Sequence, residues 1–253
     1  MTDTASHPEP RIIGIDCATD AKKVGLALCV IHEGHPHIEQ LMVGATWVGI
    51  DEQVAAWATA PTLLALDAPL GWPAQLGDSL HTHYAGAELA PSANSLFRRT
   101  TDDVVAEQLG KRPLDVGSDR IARTAHAALS FLTRLRERVD APIPLAWTPG
   151  SVEGLAAIEV YPAGTLAARK LPHSGYKAST DASSALRHKL AQAVREELAI
   201  DEDAGELLAQ SDHALDAVLC ARAGLDFLSG DVVRPKDLSL AKREGWIWVR
   251  PPE

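Results

Sequence analysis

Apolar runs, each closed by glycine, proline or a charged residue, set the pattern of the first third of the chain. RIIGIDCA (11–18) and VGLALCVIHEG (24–34) are almost continuously apolar, as strands covered on both faces are. The short connection between them, carrying Asp20 and two lysines, predicts a hairpin. After a Gly-His-Pro turn, HIEQLMVGATW (37–47) predicts a third strand. DEQVAAWATA (51–60) reads as a short amphipathic helix with an acidic first turn, and LLALD (63–67) as a fourth strand.

Between 69 and 150 the pattern turns irregular. Pro, Gly and His crowd 69–94, and only RTAHAALSFLTRLRERV (123–139) has clear helical periodicity, so this stretch is expected to be an insertion with its own helices. SVEGLAAIEVYP (151–162) predicts a fifth strand ending at a proline, and ASSALRHKLAQAVREELA (182–199) a helix with apolar residues at three-and-four spacing. LLAQSDHALDAVLCARAGLDFLSG (207–230) predicts a longer helix, with Ser211 or Asp212 as N-cap and Gly230 beyond its end. In the last short strand, GWIWVRPP, Trp246 and Trp248 alternate with Ile247 and Val249, a packing pattern rather than a base-stacking one. Together these elements describe one α/β domain over 11–250: a mixed five-stranded sheet with helices on both faces and a helical insertion at 69–150. Residues 1–10 are expected to form a disordered leading segment.

Composition narrows the class. With 253 residues, 46% of them hydrophobic, the chain can bury a substantial core. No apolar run approaches the ~18 residues of a membrane span, and MTDTASHPEPR lacks the basic and apolar regions of a signal peptide, so a cytoplasmic protein without a membrane partner is expected. Cys17, Cys29 and Cys220 are too scattered for a disulfide framework or structural zinc, which leaves reduced thiols. The net charge of −10 argues against a broad basic face gripping long duplex DNA. Residues 98–138 nonetheless hold nine Lys/Arg against six Asp/Glu, a local excess that suits either a solvated helical face or a phosphate-contacting segment.

Three antiparallel strands, a helix and then a strand is an order similar to the opening of the RNase H architecture, in which the fourth strand lies beside the first. That places Asp16, ending strand one, next to Asp67, ending strand four. Glu159 ends strand five, and Asp216 lies on the late helix, where Asp212, Leu215, Asp216, Leu219 and Ala223 share one face, so Asp216 interrupts a surface otherwise made for the core. Each acid alone has a plain structural use: a turn residue for Asp16 and Asp67, a solvated strand face for Glu159, a helix cap for Asp212. Gathered together, ionised carboxylates repel one another and lose hydration unless cations neutralise them. Magnesium or manganese does so with oxygen ligands, and two ions roughly 3.5–4 Å apart serve in-line phosphodiester cleavage.

GIDCA at 14–18, DAPLG at 67–71, EVYP at 159–162, DHALDA at 212–217 and EGWI at 244–247 resemble the domain-of-unknown-function family 429, whose members are described as predicted RNase H-like nucleases. HALDA at 213–217 is also similar to the late helix of RuvC-type resolvases, where an acid or histidine and an aspartate three residues later complete a metal site. This resemblance implies a divalent-metal-dependent nuclease with Asp16, Asp67 and Asp216 catalytic, and with Asp212, His213 and Glu159 as further metal ligands. Strand five of RNase H-like nucleases does not usually supply the key acid, so Glu159 ranks below Asp16, Asp67 and Asp216, with holding a basic residue or the tyrosine loop in place as its alternative role.

For a nucleic-acid substrate, Arg98 and Arg99 in FRRTTDD are the first phosphate-contact candidates, with Arg120, Arg123 and the loop residue Lys177 behind them; salt-bridged surface arginines and an exposed loop lysine are the alternatives. HEGHPH (32–37) has ligand-like histidine spacing but crosses a hairpin turn. Two other classes stay open. A binding module could keep the fold without hydrolysis. A phosphotransferase of the actin and sugar-kinase type is less suited, because DCATDAKK lacks the Asp-x-Gly-x-Thr turn and only one set of strands is present.

Overall fold

The computed structural model describes residues 9–59 and 61–252. Residues 1–8 of the expected leading segment, and Ala60 at the end of the predicted first helix, lie outside the described residues. The elements run β1 (Arg11–Asp16), β2 (Gly25–His32), β3 (His35–Val43), α1 (Trp47–Trp57), β4 (Thr62–Asp67), α2 (Ala74–Leu80), α3 (Ala93–Phe97), α4 (Thr100–Leu109), α5 (Asp119–Val139), β5 (Leu155–Glu159), α6 (Pro162–Ala168), α7 (Asp181–Glu197), β6 (Ala199–Ile200), α8 (Glu202–Gln210), α9 (Asp212–Ser229) and α10 (Leu238–Glu244).

The strands form one sheet in the order β5-β4-β1-β2-β3-β6. β1, β2 and β3 are antiparallel neighbours; β2 and β3 are joined at Glu33 and Gly34, both with positive φ, the backbone that a two-residue hairpin turn needs. β4 and β5 add in parallel on the other side of β1. Alternate side chains divide the core. Ile12, Ala27, Leu63 and Ala65 face α7 and α9, whereas Ile13, Leu26, Leu64 and Leu66 face α1 and α5, so helices cover both faces. Among the described residues, no helix is long and apolar enough to cross a membrane.

Several expected boundaries move, each for a local reason. The sheet has six strands rather than five: after α7 the chain extends for two residues beside His37 and Ile38, too short a run for periodicity to reveal. The expected strand at 245–252 makes a single bridge, Glu159 with Ile247, because the Ile247 N–H donates to the Thr101 hydroxyl (2.8 Å) instead of continuing a ladder. β3 stops at Val43, before Gly44 at φ 74°, and α1 starts at Trp47, four residues earlier than the acidic stretch suggests, because Thr46 caps it by accepting from Gly49 N–H. The stretch 207–230 is broken at Ser211, whose extended backbone ends α8 and whose hydroxyl caps α9; Gly230 in the left-handed region closes that helix.

α9 lies unusually close to the sheet. A Cβ on Gly14 would stand 2.0 Å from the Ala217 carbonyl oxygen, and one on Gly25 would stand 2.1 Å from that of His213. Only glycine in β1 and β2 lets the helix backbone settle there, and this contact fixes how deep the residues of its first two turns reach.

Candidate metal centre

The parallel register of β1 and β4 sets Asp16 directly opposite Asp67 at the carboxyl ends of adjacent strands. α9, seated on Gly14, brings Asp216 down between them. One carboxylate oxygen from each of Asp16, Asp67 and Asp216 lies within 4.8 Å of the others; Asp16 and Asp216 are buried and Asp67 half-buried. Strand ends and a close-packed helix thus supply three hard oxygen donors to one point, a donor set that suits magnesium or manganese.

The surroundings hold these acids in place. His213 Nδ1 lies 2.7 Å from Asp16 Oδ2. The Tyr176 hydroxyl donates to Asp216 Oδ1 (2.8 Å), and the Lys177 ammonium pairs with Asp216 Oδ2 (2.5 Å). Burial is the largest cause pushing all three carboxyls above the usual aspartate range. For Asp16 it outweighs the His213 hydrogen bond and raises the carboxyl to about 6; for Asp67 and Asp216 the positive charge of Lys177 opposes it. Burial disfavours the charge on Lys177, but the attraction of Asp216 and Asp67 prevails and holds its ammonium well above the usual lysine range. His213 is raised chiefly by its bond to Asp16.

A carboxyl with its folded pKa raised stabilises the fold while protonated. For Asp16 that contribution is complete below its ordinary 3.8 and is lost as pH rises through about 6. The metal-free protein is therefore expected to gain about 1–2 kcal/mol from this group on going from pH 7.5 to pH 5, at ~1.4 kcal/mol per pKa unit. Asp16→Asn should remove that component. Melting curves of the two proteins that stay parallel from pH 4 to 7.5 would contradict it.

The remaining site candidates fall elsewhere. Glu159 lines the same cleft as Asp67 but is not part of the three-acid group: its oxygens accept from Arg99 at 2.7 and 2.9 Å and from the Leu70 N–H at 2.9 Å. Arg99, expected at a phosphate, is 1% exposed and donates five hydrogen bonds, to Asp102, Glu159 and the Glu244 carbonyl, so no N–H is left for substrate. It is an internal strut, joining the start of α4 to the end of β5. Arg98 pairs with Asp115, Arg123 pairs with Asp119, and Arg120 is exposed on the first turn of α5; none of the three lines the cleft described next. Asp212 and His213 stand on the first turn of α9; Asp212 contributes no oxygen to the three-acid group. Of the hairpin histidines, His32 stacks on His37 and His35 Nδ1 lies 3.0 Å from the Glu33 carbonyl oxygen.

A cleft of about 440 Å³ opens beside Asp67 and Lys177 and runs between the turn at 111–114 and the loop at 173–177. Of its lining residues, Lys111 and Arg112 belong to the basic run of 98–138, and Tyr176 is not among the residues that the sequence singles out. HSGYK (173–177) is a loop without periodicity, and its only local signal is a tyrosine next to a lysine after glycine.

Sheet, flanking helices and buried carboxylates define a mixed α/β protein with an acidic centre at its strand ends. Over residues 14–239 the sequence matches the family described as protein of unknown function (DUF429), and the chain belongs to that family. No curated protein matches it.

Proposed function

We propose that this protein is an RNase H-like nuclease that hydrolyses phosphodiester bonds of nucleic acid with bound magnesium or manganese, two ions sharing the three aspartates. The observation that carries the reading is the convergence of Asp16, Asp67 and Asp216 within 4.8 Å. The sheet order supports it, with β4 beside β1 and the antiparallel β1-β2-β3 on the other flank. Bound ions would neutralise the carboxylates, activate water and stabilise the leaving oxygen. The chain's own residues do the positioning: His213 fixes the rotamer of Asp16, and Tyr176 that of Asp216. Lys177, about half exposed, balances the carboxylate charge and is free to turn toward a phosphate oxygen when a divalent cation takes its place. The three free thiols fit a cytoplasmic setting.

A binding module without hydrolysis is the second reading, and the Lys177–Asp216 ion pair favours it, since a lysine already supplies a counter-charge. Cleavage decides between them. Labelled single-stranded, duplex, hybrid and branched substrates with magnesium or manganese should be cut by the wild type. Asp16→Asn and Asp216→Asn should be slower by more than the roughly 100-fold that loss of an outer-shell partner alone reaches. Equal cleavage by all three proteins would overturn the nuclease reading.

A further inference from the structure

The cleft beside the aspartates has two chemically different sides. Leu114, Ile121 and Tyr161 give it an apolar wall, and Leu114 is 68% exposed, an unburied leucine at a cleft mouth. Lys111 and Arg112 stand on the same turn as Leu114, and Lys177 lines the cleft with Asp67. Arg112 also pairs with Asp103, whereas Lys111 makes no ion pair among the described residues. Its volume, about 440 Å³, lies in the range that encloses one small ligand.

We propose, resting on the nuclease reading, that this cleft takes one unpaired nucleotide of a strand, its base against Leu114, Ile121 and Tyr161 and its phosphates between Lys111 and the three aspartates, so that the substrate is single-stranded or has an unpaired end. The geometry selects against an intact duplex for two reasons. In a duplex the bases are stacked and paired inside, and none can reach an apolar wall; in a single strand the base is free to turn onto it. A duplex is gripped through many phosphates by a broad basic surface, and a chain of net charge −10 whose cleft offers only Lys111, Arg112 and Lys177 as accessible cations makes few such contacts.

The test uses a labelled 12-nucleotide single strand, as DNA and as RNA, and the same sequence as a blunt duplex. Cleavage with manganese and binding by fluorescence anisotropy are measured for wild type and Lys111→Glu. The single strand should be cut at least about tenfold faster than the blunt duplex, and Lys111→Glu should raise KM about tenfold with kcat little changed, as loss of a phosphate contact does. Duplex cut as fast as single strand, or an unchanged KM in Lys111→Glu, overturns the cleft assignment and leaves the nuclease reading standing. Tight single-strand binding without any cleavage overturns the nuclease reading alone. Neither binding nor cleavage overturns both.

Discussion

Arg99→Met is expected to destabilise the fold by about 3–5 kcal/mol, the usual loss when one partner of a buried charge network is removed. The guanidinium is buried between Asp102 and Glu159, which are themselves 1% and 4% exposed, and it satisfies both carboxylates with four of its five hydrogen bonds. Methionine fills much of the same volume, so the loss would come from two buried carboxylates left without a counter-charge rather than from a void. The neighbourhood multiplies the effect. Glu244 accepts from the Ala74 and Thr100 N–H groups, so α2, α4, α10 and the end of β5 meet at this one knot. Urea denaturation gives the number. Neutralising the orphaned acids as well, in Arg99→Met with Asp102→Asn and Glu159→Gln, should recover part of the loss; a single variant less than about 1 kcal/mol below wild type would mean that the network contributes little.

The second large effect is on the response to metal. In Asp67→Asn the metal-free protein is expected to be at least as stable as wild type at neutral pH, because burial and the charges of Asp16 and Asp216 all work against an ionised Asp67. Manganese at about 100 times its Kd should stabilise the wild type by ~2.7 kcal/mol, a rise in Tm of roughly 5–10 °C for a chain of this size, and should leave the Tm of Asp67→Asn unchanged. An equal rise in both proteins would place the metal elsewhere.

The parts of this site that the sequence reveals are those tied to periodicity. Asp16 and Asp67 close apolar runs, which marks them as strand ends, and Asp216 breaks an apolar helical stripe, which marks it as buried. The partners of these acids carry no such mark. Tyr176 and Lys177 lie in a loop 40 and 39 residues before Asp216, and the periodicity of the helix says nothing about which loop packs against it. Arg99 and Glu159 are 60 residues apart, and FRRTTDD looks the same on a solvated helix start as in a buried strut. β6 escapes because two residues have no period.

Crystals of the wild-type protein soaked in manganese at neutral pH, with anomalous scattering recorded, test the central claim most directly. The account predicts anomalous peaks within ligand distance of Asp16, Asp67 and Asp216, with the Lys177 ammonium displaced from Asp216. Manganese-saturated crystals that show no peak among the three aspartates, and Lys177 still paired with Asp216, would contradict it.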